Sequence, residues 1–268
     1  VQIRNLVGEQ IEIKPIVKAN AYGHGAVEVA KTVIMAGANR LGVASLSEGI
    51  ELRKAGILAP ILVLSPLNRQ EVEEAIDNRL TLTISSINDL KDLISLKQRN
   101  VTSQPVKIHL EIDTGMGRLG IKCEEIGELI NILQVKPDNL EAYHPVEVEG
   151  IFSHFAQADA ENKYKQFNKF QEIINHLNQA GINIPLKHIS NSGAIINFKE
   201  MHLNLVRPGI IVYGLYPAPD FPKIVALRPA MTFKAKIIQL RKIPKGCGIS
   251  YGATYVTYKD TLIATLPV

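Results

Sequence analysis

Only two cysteines occur in 268 residues, Cys123 and Cys247, and neither sits in a partner motif. Their scarcity excludes a disulfide scaffold and a Cys-ligated zinc site, and it suits a reducing compartment. Long apolar runs are missing as well. The stretches 210–213 and 262–268, the second interrupted by Thr and Pro, fall far short of the roughly 20 residues that a membrane helix needs. Charge of one sign is scarce: 30 Lys and Arg against 26 Asp and Glu leave +4, spread along the chain. No nucleic-acid footprint is expected from that distribution, and small phosphate-bearing molecules fit it better than polyanions. What is plentiful is core material, 46% hydrophobic with 21% charged, the balance of a globular protein rather than a disordered or fibrous one.

The chain opens at a valine, enters a strand-like run within about ten residues and stops inside another, 261–268, without a turn signal. It reads as a fragment, and the cytoplasm is the default location.

Up to about Pro217, short β-branched runs alternate with segments of 3.6-residue periodicity. The runs are 11–19, 41–45, 61–64, 80–85, 106–113, 148–155, 186–191 and 203–207. Eight strand–helix units in little over 200 residues point to an α/β fold, a closed (β/α)8 TIM barrel over residues 1–228. An open doubly wound sheet is the alternative if one run is not a strand. In 106–113 the alternation turns Ile108, Leu110 and Ile112 toward the helices and Glu111 and Asp113 into the barrel. Residues 229–268 change texture, with strands expected at 231–243, 249–256 and 261–268 and no helix between them. That is the beginning of an antiparallel β domain, too small to be stable alone.

Reactive groups of a barrel sit at the C-terminal ends of its strands. Those ends carry Lys18, Asp113 with Arg118 beyond it, His154, His188, Asn191 with Ser192, and Arg207. A lysine partly withdrawn from water loses affinity for its proton and can act as a Schiff-base nucleophile; one whose tip snorkels to the barrel mouth does nothing chemical. Position alone does not separate the two. Ser192 and the pair Gly209-Ile210 follow the last two strands, where barrels commonly place a phosphate, although capping and turn formation would also explain them. A lysine for a carbonyl beside a phosphate pocket suggests either pyridoxal phosphate or a sugar-phosphate aldol substrate. His24 lies in the lysine loop and could help set its shape. His109, His144, His176 and His202 lack metal-ligand spacing and read as structural or exposed, and no metal is expected.

Six stretches taken together are specific: Val17-Lys-Ala-Asn-Ala-Tyr-Gly-His-Gly25, Asp113-Thr-Gly-Met-Gly-Arg-Leu-Gly120, Ser153-His-Phe-Ala156, Asn191-Ser192, Val206-Arg207 with Gly209, and Ile249-Ser-Tyr-Gly-Ala-Thr-Tyr255. In order and spacing they resemble alanine racemase from end to end. The resemblance implies a pyridoxal 5'-phosphate barrel followed by a β domain, truncated at both ends. It implies that Lys18 carries the cofactor and acts as base on the D face, with Tyr251 as base on the L face. Removing a proton on one side and delivering it on the other calls for two bases. A tyrosine of ordinary pKa, about 10, needs cationic neighbours to act as one, and His154 and Arg207 match the family residues of such a network.

By the same resemblance Arg207 bonds the pyridine nitrogen. A guanidinium keeps its protons, so the ring nitrogen stays unprotonated and the electron sink is weakened. Tyr22, Ser192, Gly209 and Ile210 match phosphate contacts; Asn191 belongs to the cofactor set; Arg118 matches the residue near the substrate carboxylate; His188 is supporting. Glu111 stands where many relatives carry a carbamylated lysine, and an ion pair of Glu111 with Arg118 is the corresponding expectation. The resemblance further implies a homodimer with shared active sites, an amino-acid substrate, no nucleic-acid or membrane partner, and D-alanine supply for peptidoglycan. Racemisation of serine or a wider set of amino acids, and a non-catalytic cofactor-binding barrel, are the alternatives. An aldolase is a distant third. As a fragment the chain is expected to be weakly active or inactive, which appreciable racemisation by the purified 268 residues would contradict.

Overall fold

The structure, a computed structural model, describes residues 1–99, 105–134, 146–156 and 160–268. His144 lies outside the described residues. Two compact units emerge, Val1–Ala230 and Met231–Val268.

In the first unit, parallel strands follow one another around a ring. They are β1 (Glu12–Ile13), β2 (Leu41–Val43), β3 (Ile61–Val63), β4 (Leu82–Ile84), β5 (Val106–Asp113), the short β6 (Ile121–Lys122) that adds to the end of β5, β7 (Val146–Phe152), β8 (Leu186–His188) and β9 (Leu205–Val206). Parallel ladders join β2 to β3, β4 to β5, β5 to β7, β7 to β8, and β9 back to β1. Bridges Ile16–Gly42 and Leu62–Thr81 close two gaps. The Arg207 N–H, donating to the Ser190 carbonyl at 2.9 Å, closes the third. The open-sheet alternative is excluded by that closure, and all eight expected runs contribute a strand.

Local sequence accounts for the elements. The helix Leu46–Lys54 starts at a capping box in which Ser45 and Glu48 satisfy each other's backbone, and Asn68 with Glu71 does the same for Arg69–Asp77. On β5 the outward Ile108, Leu110 and Ile112 are buried against helix residues such as Leu90, Leu93, Ile126 and Leu129. Each such side chain contributes roughly 1.5–3 kcal/mol. Inward positions of the same strand hold His109 and Glu111, so the barrel interior is polar where a packed barrel would hold branched aliphatics.

The first expected strand ends early. Residues Ala19 to Tyr22 take φ of 51–54°, a left-handed turn of four non-glycine residues. Each costs roughly 1–2 kcal/mol, so tertiary contacts must hold it. The Ala19 N–H donates to Glu48 Oε1 at 2.6 Å, and Asn20 Oδ1 accepts from the Ala26 N–H at 2.7 Å.

In the second unit, β10 (Gln239–Ile243) pairs antiparallel with β13 (Thr261–Thr265), and β11 (Gly248–Ile249) with β12 (Tyr255–Val256). The expected strand 231–243 is ordered as a strand only over its last five residues. The expected strand 249–256 is a hairpin, because positive φ at Ser250, Gly252 and Ala253 turns the chain between β11 and β12. Among the described residues no helix is long and apolar enough to cross a membrane.

Candidate active site

A cavity of about 780 Å³ is lined by Lys18, Tyr22, Glu111, Arg118, His154, Asn191, Ser192, Arg207, Gly209 and Ile210, together with Phe155, Gly193 and Phe221. Ten of the expected site residues therefore meet in one place. Tyr251 lies in the second unit, at the start of the turn Tyr251–Ala253, with its side chain exposed.

Lys18 is half-buried and is the first residue past the strand end, where Ile16 N–H donates to the Pro208 carbonyl and Val17 N–H to the Gly42 carbonyl, both at 2.9 Å. Its neighbour is fixed by Glu48, whose second oxygen accepts from the Ala44 N–H at 2.7 Å. The lysine is thus carried on a clamped turn. Tyr22 packs its ring 5.0 Å from Tyr213, whose hydroxyl donates to the Ile16 carbonyl at 2.8 Å.

Arg207 is buried, and four of its five N–H groups have protein acceptors. NH1 donates to His188 Nδ1 at 2.5 Å and the His188 carbonyl at 3.0 Å; NH2 faces the Ser153 carbonyl at 2.7 Å and His154 Nδ1 at 3.3 Å. Nε–H alone has no protein acceptor among the described residues and is left for a ligand in the cavity. Burial draws the guanidinium down to about 10, so it stays charged at neutral pH. Burial, with the charges of Arg207, Arg118 and Lys18, pushes His154 down to about 3. His154 is consequently a neutral imidazole that accepts at Nδ1, and the cationic network expected of His154 and Arg207 has one cation, Arg207.

Helix capping does not explain Ser192. Asn191 is the residue that caps Ser192–Asn197, accepting from the Ala194 N–H at 3.2 Å. The Ser192 hydroxyl instead accepts the Gly209 N–H at 2.9 Å, tying the loops after β8 and β9 together. A Cβ on Gly209 would lie 3.2 Å from the Tyr22 hydroxyl and 3.7 Å from Ser192 Oγ, so a side chain there would crowd the Tyr22 hydroxyl and take up space beside both hydroxyls.

Two carboxylates behave differently from expectation. Asp113 does not act inside the barrel: Oδ1 accepts from the N–H groups of Gly115, Met116 and Gly117, shaping the loop that presents the exposed Arg118. Glu111 makes no ion pair with Arg118. Its Oε2 accepts from the Ser85 hydroxyl at 2.8 Å, and the two arginines act on it only as more distant charges. Burial dominates and raises its pKa.

Several supporting residues had no motif to betray them. Gln166 holds His154 in place, donating to its carbonyl at 3.0 Å and accepting from the Ala156 N–H at 2.9 Å. Glu48 clamps the Ala19 N–H from 29 residues away, a contact that no local sequence pattern announces. Lys14 shares strand parity with Lys18, a signal that it too points inward, and it is fully buried. His109 is buried rather than exposed; His202 is buried and bonded to the Ile195 carbonyl, and His176 is exposed. Among the described residues no group of three or more His, Cys, Asp or Glu side chains could hold a metal ion.

Residues 1–217 match the family model described as alanine racemase, N-terminal domain, and residues 230–268 the model for the C-terminal domain. Alanine racemase 2 of Caldanaerobacter subterraneus is 41% identical over 270 residues, covering 100% of this chain and 68% of its own length. Alanine racemase of Desulforamulus reducens is 44% identical over 271 residues, with 100% and 71% covered. Among solved structures, alanine racemase of Clostridium difficile superposes with a TM-score of 0.85 at 39% identity, covering 100% of this chain and 69% of that one. The Bacillus anthracis enzyme with bound L-Ala-P gives 0.82 at 36%, with 98% and 67% covered.

Proposed function

This chain belongs to the alanine racemase family, and on that premise we propose that Lys18 and Tyr251 are the two bases that exchange the α-proton of alanine. The activity is the interconversion of L- and D-alanine, an isomerase reaction dependent on pyridoxal 5'-phosphate. The observation that carries the site assignment is the meeting, in one cavity, of a half-buried lysine, a hydroxyl-lined glycine cradle and an arginine whose Nε–H has no protein acceptor.

These residues fit the cofactor. Lys18 would hold its aldehyde, Ser192, Gly209, Ile210 and Tyr22 would surround its phosphate, and the Nε–H of Arg207 would meet its ring nitrogen. When bound, it supplies the electron sink for negative charge developing at the substrate α-carbon. Arg207 cannot surrender a proton at neutral pH, so it acts as a donor and not as an acid. Neutral His154, bonded through Nδ1, keeps its Nε2–H as a further donor. Arg118, raised on the Asp113 loop, is positioned in the cavity to take the substrate carboxylate. His188 supports Arg207 from below.

In this reading the protein is a cytoplasmic homodimer in which Tyr251 serves the site of a second copy, and its D-alanine feeds peptidoglycan. Exchange of the α-proton for solvent deuterium tests the two bases, because label accumulates over long incubations even when turnover is slow. Tyr251→Phe in the cofactor-loaded protein is expected to slow exchange from L-alanine about 100-fold and from D-alanine far less. Equal slowing of both, or of neither, contradicts the assignment.

A further inference from the structure

Beneath Arg207 the barrel interior holds a line of buried polar groups that the reaction as described leaves unused. His188 Nε2 lies 2.7 Å from His109 Nδ1 and 3.2 Å from Lys14 Nζ. His109 Nε2 lies 3.4 Å from Glu149 Oε2, which also takes Arg40 NH1 at 2.8 Å. Arg40 in turn bonds Glu12 at 2.6 Å, at the start of β1. All but the last pair are buried, and Phe152 stacks on His188 with centroids 4.9 Å apart.

Donor and acceptor counting leaves one arrangement. A guanidinium has no acceptor, so His188 Nδ1 must accept from Arg207, and a neutral imidazole then carries its proton on Nε2. That proton points at His109 Nδ1, which must accept, so His109 carries its own proton on Nε2, facing the Glu149 carboxylate. Lys14 meets a nitrogen that is already a donor and can touch it only through a lone pair, as an uncharged amine. A charged His188 or a charged Lys14 would set two donors against each other.

We propose that Arg207, His188, His109 and Glu149 form a one-way chain of hydrogen bonds from the cavity to the floor of the barrel, with His109 and Glu149 as positioning residues that hold Arg207 as a donor toward the cofactor ring. The proposal rests on the assignment of Arg207 given above. His188 occupies both hydrogens of NH1 and leaves Nε–H without a protein acceptor among the described residues, while Glu149 is the acceptor at the far end of the chain. Glycine at 150 is part of the device: a Cβ there would lie 2.2 Å from His109 Nδ1, so any side chain would displace the ring. The electrostatics agree. Burial, the largest cause for both rings, pushes His109 down to about 3 and His188 well below the usual imidazole range, and any charge on Lys14 would push them the same way. Burial, with the charges of Arg207 and Arg40, also lowers Lys14. Burial would raise Glu149, yet the hydrogen bond from His109 and the charge of Arg40 hold it down to about 2. Among the described residues, Lys107 also pairs with Glu149 at 3.3 Å and with Glu147 at 3.8 Å, at the exposed edge.

Imidazole nitrogen-15 NMR reads this directly, in the protein with and without pyridoxal phosphate, with His109→Asn and His188→Asn to assign the signals. The expected result is an Nε2–H tautomer for both histidines that does not titrate between pH 8 and 5. An Nδ1–H form or a charged ring at either position in that range overturns the chain. Glu149→Gln, which can place its amide oxygen where Oε2 stands, should keep both tautomers; Glu149→Leu should add an Nδ1–H population at His109. Identical spectra for the two variants overturn the anchoring role of residue 149. If Glu149→Leu does not fold, the native and Glu149→Gln spectra still decide. A failure of the cofactor assignment would show instead as absence of the adduct at Lys18 with these tautomers intact.

Discussion

Asn20 performs two tasks in the loop that carries the reactive lysine. Its side chain accepts the Ala26 N–H, and its backbone stands at φ 51°. Both Asn20→Ala and Asn20→Gly lose the hydrogen bond to the Ala26 N–H, at a cost of about 1 kcal/mol, but only alanine adds the left-handed penalty of roughly 1–2 kcal/mol. Urea denaturation should therefore place the alanine variant clearly below the glycine variant, and equal midpoints would mean the turn is not strained. Glu111 gives the opposite kind of forecast. Because it bonds Ser85 and not Arg118, Glu111→Gln is expected to change the KM for alanine by no more than about fivefold, the scale of a distant or screened charge. A far larger change would restore the ion pair with Arg118 that the sequence suggested.

At the scale of elements, the strand carrying Lys18 and the helix Leu46–Lys54 are one mechanical unit. Glu48 caps that helix and clamps the N–H groups of Ala19 and Ala44 with its two oxygens. Glutamine can accept with only one of them, so Glu48→Gln should cost about 1.5–3 kcal/mol in a denaturation measurement and weaken pyridoxal phosphate binding. Unchanged stability and affinity would show that the clamp is incidental. The same region marks where the sequence was legible. Runs such as 61–64 and 106–113 announce themselves because β-branched residues buried on a parallel sheet leave a local signature. The left-handed turn leaves none: Ala19, Asn20 and Ala21 precede the loop's first glycine, Gly23, and their conformation is imposed by Glu48, 29 residues from Ala19. The hairpin around Tyr251 was missed similarly, since Gly252 is its only local sign. Lys18, Arg207 and Ser192 could be read because strand ends of a barrel converge. Their partners Gln166, His109 and Glu149 could not, since hydrogen bonds between distant strands and helices leave no spacing in the chain.

For the whole molecule, the polar barrel interior has a consequence for acid stability. His109 and His154 sit near 3 in the fold and His188 is lowered too, against 6.5 for a free imidazole. The stability tied to these depressed values is present above about pH 6.5 and is lost as pH falls, because the unfolded chain takes up protons that the fold refuses. Each neutral imidazole costs about 1.4 kcal/mol per pH unit in that range. Lys14, also depressed, adds in the same direction, and the raised Glu111 opposes it as one group. The urea midpoint of the barrel unit should fall between pH 7.5 and 5, and a flat profile would contradict the neutral interior.

The central claim is chemical and can be met with one measurement. Protein incubated with pyridoxal 5'-phosphate, reduced with borohydride, digested and analysed by mass spectrometry should yield the pyridoxyl adduct on the peptide containing Lys18. An adduct confined to another lysine, or no adduct at all, would contradict the account.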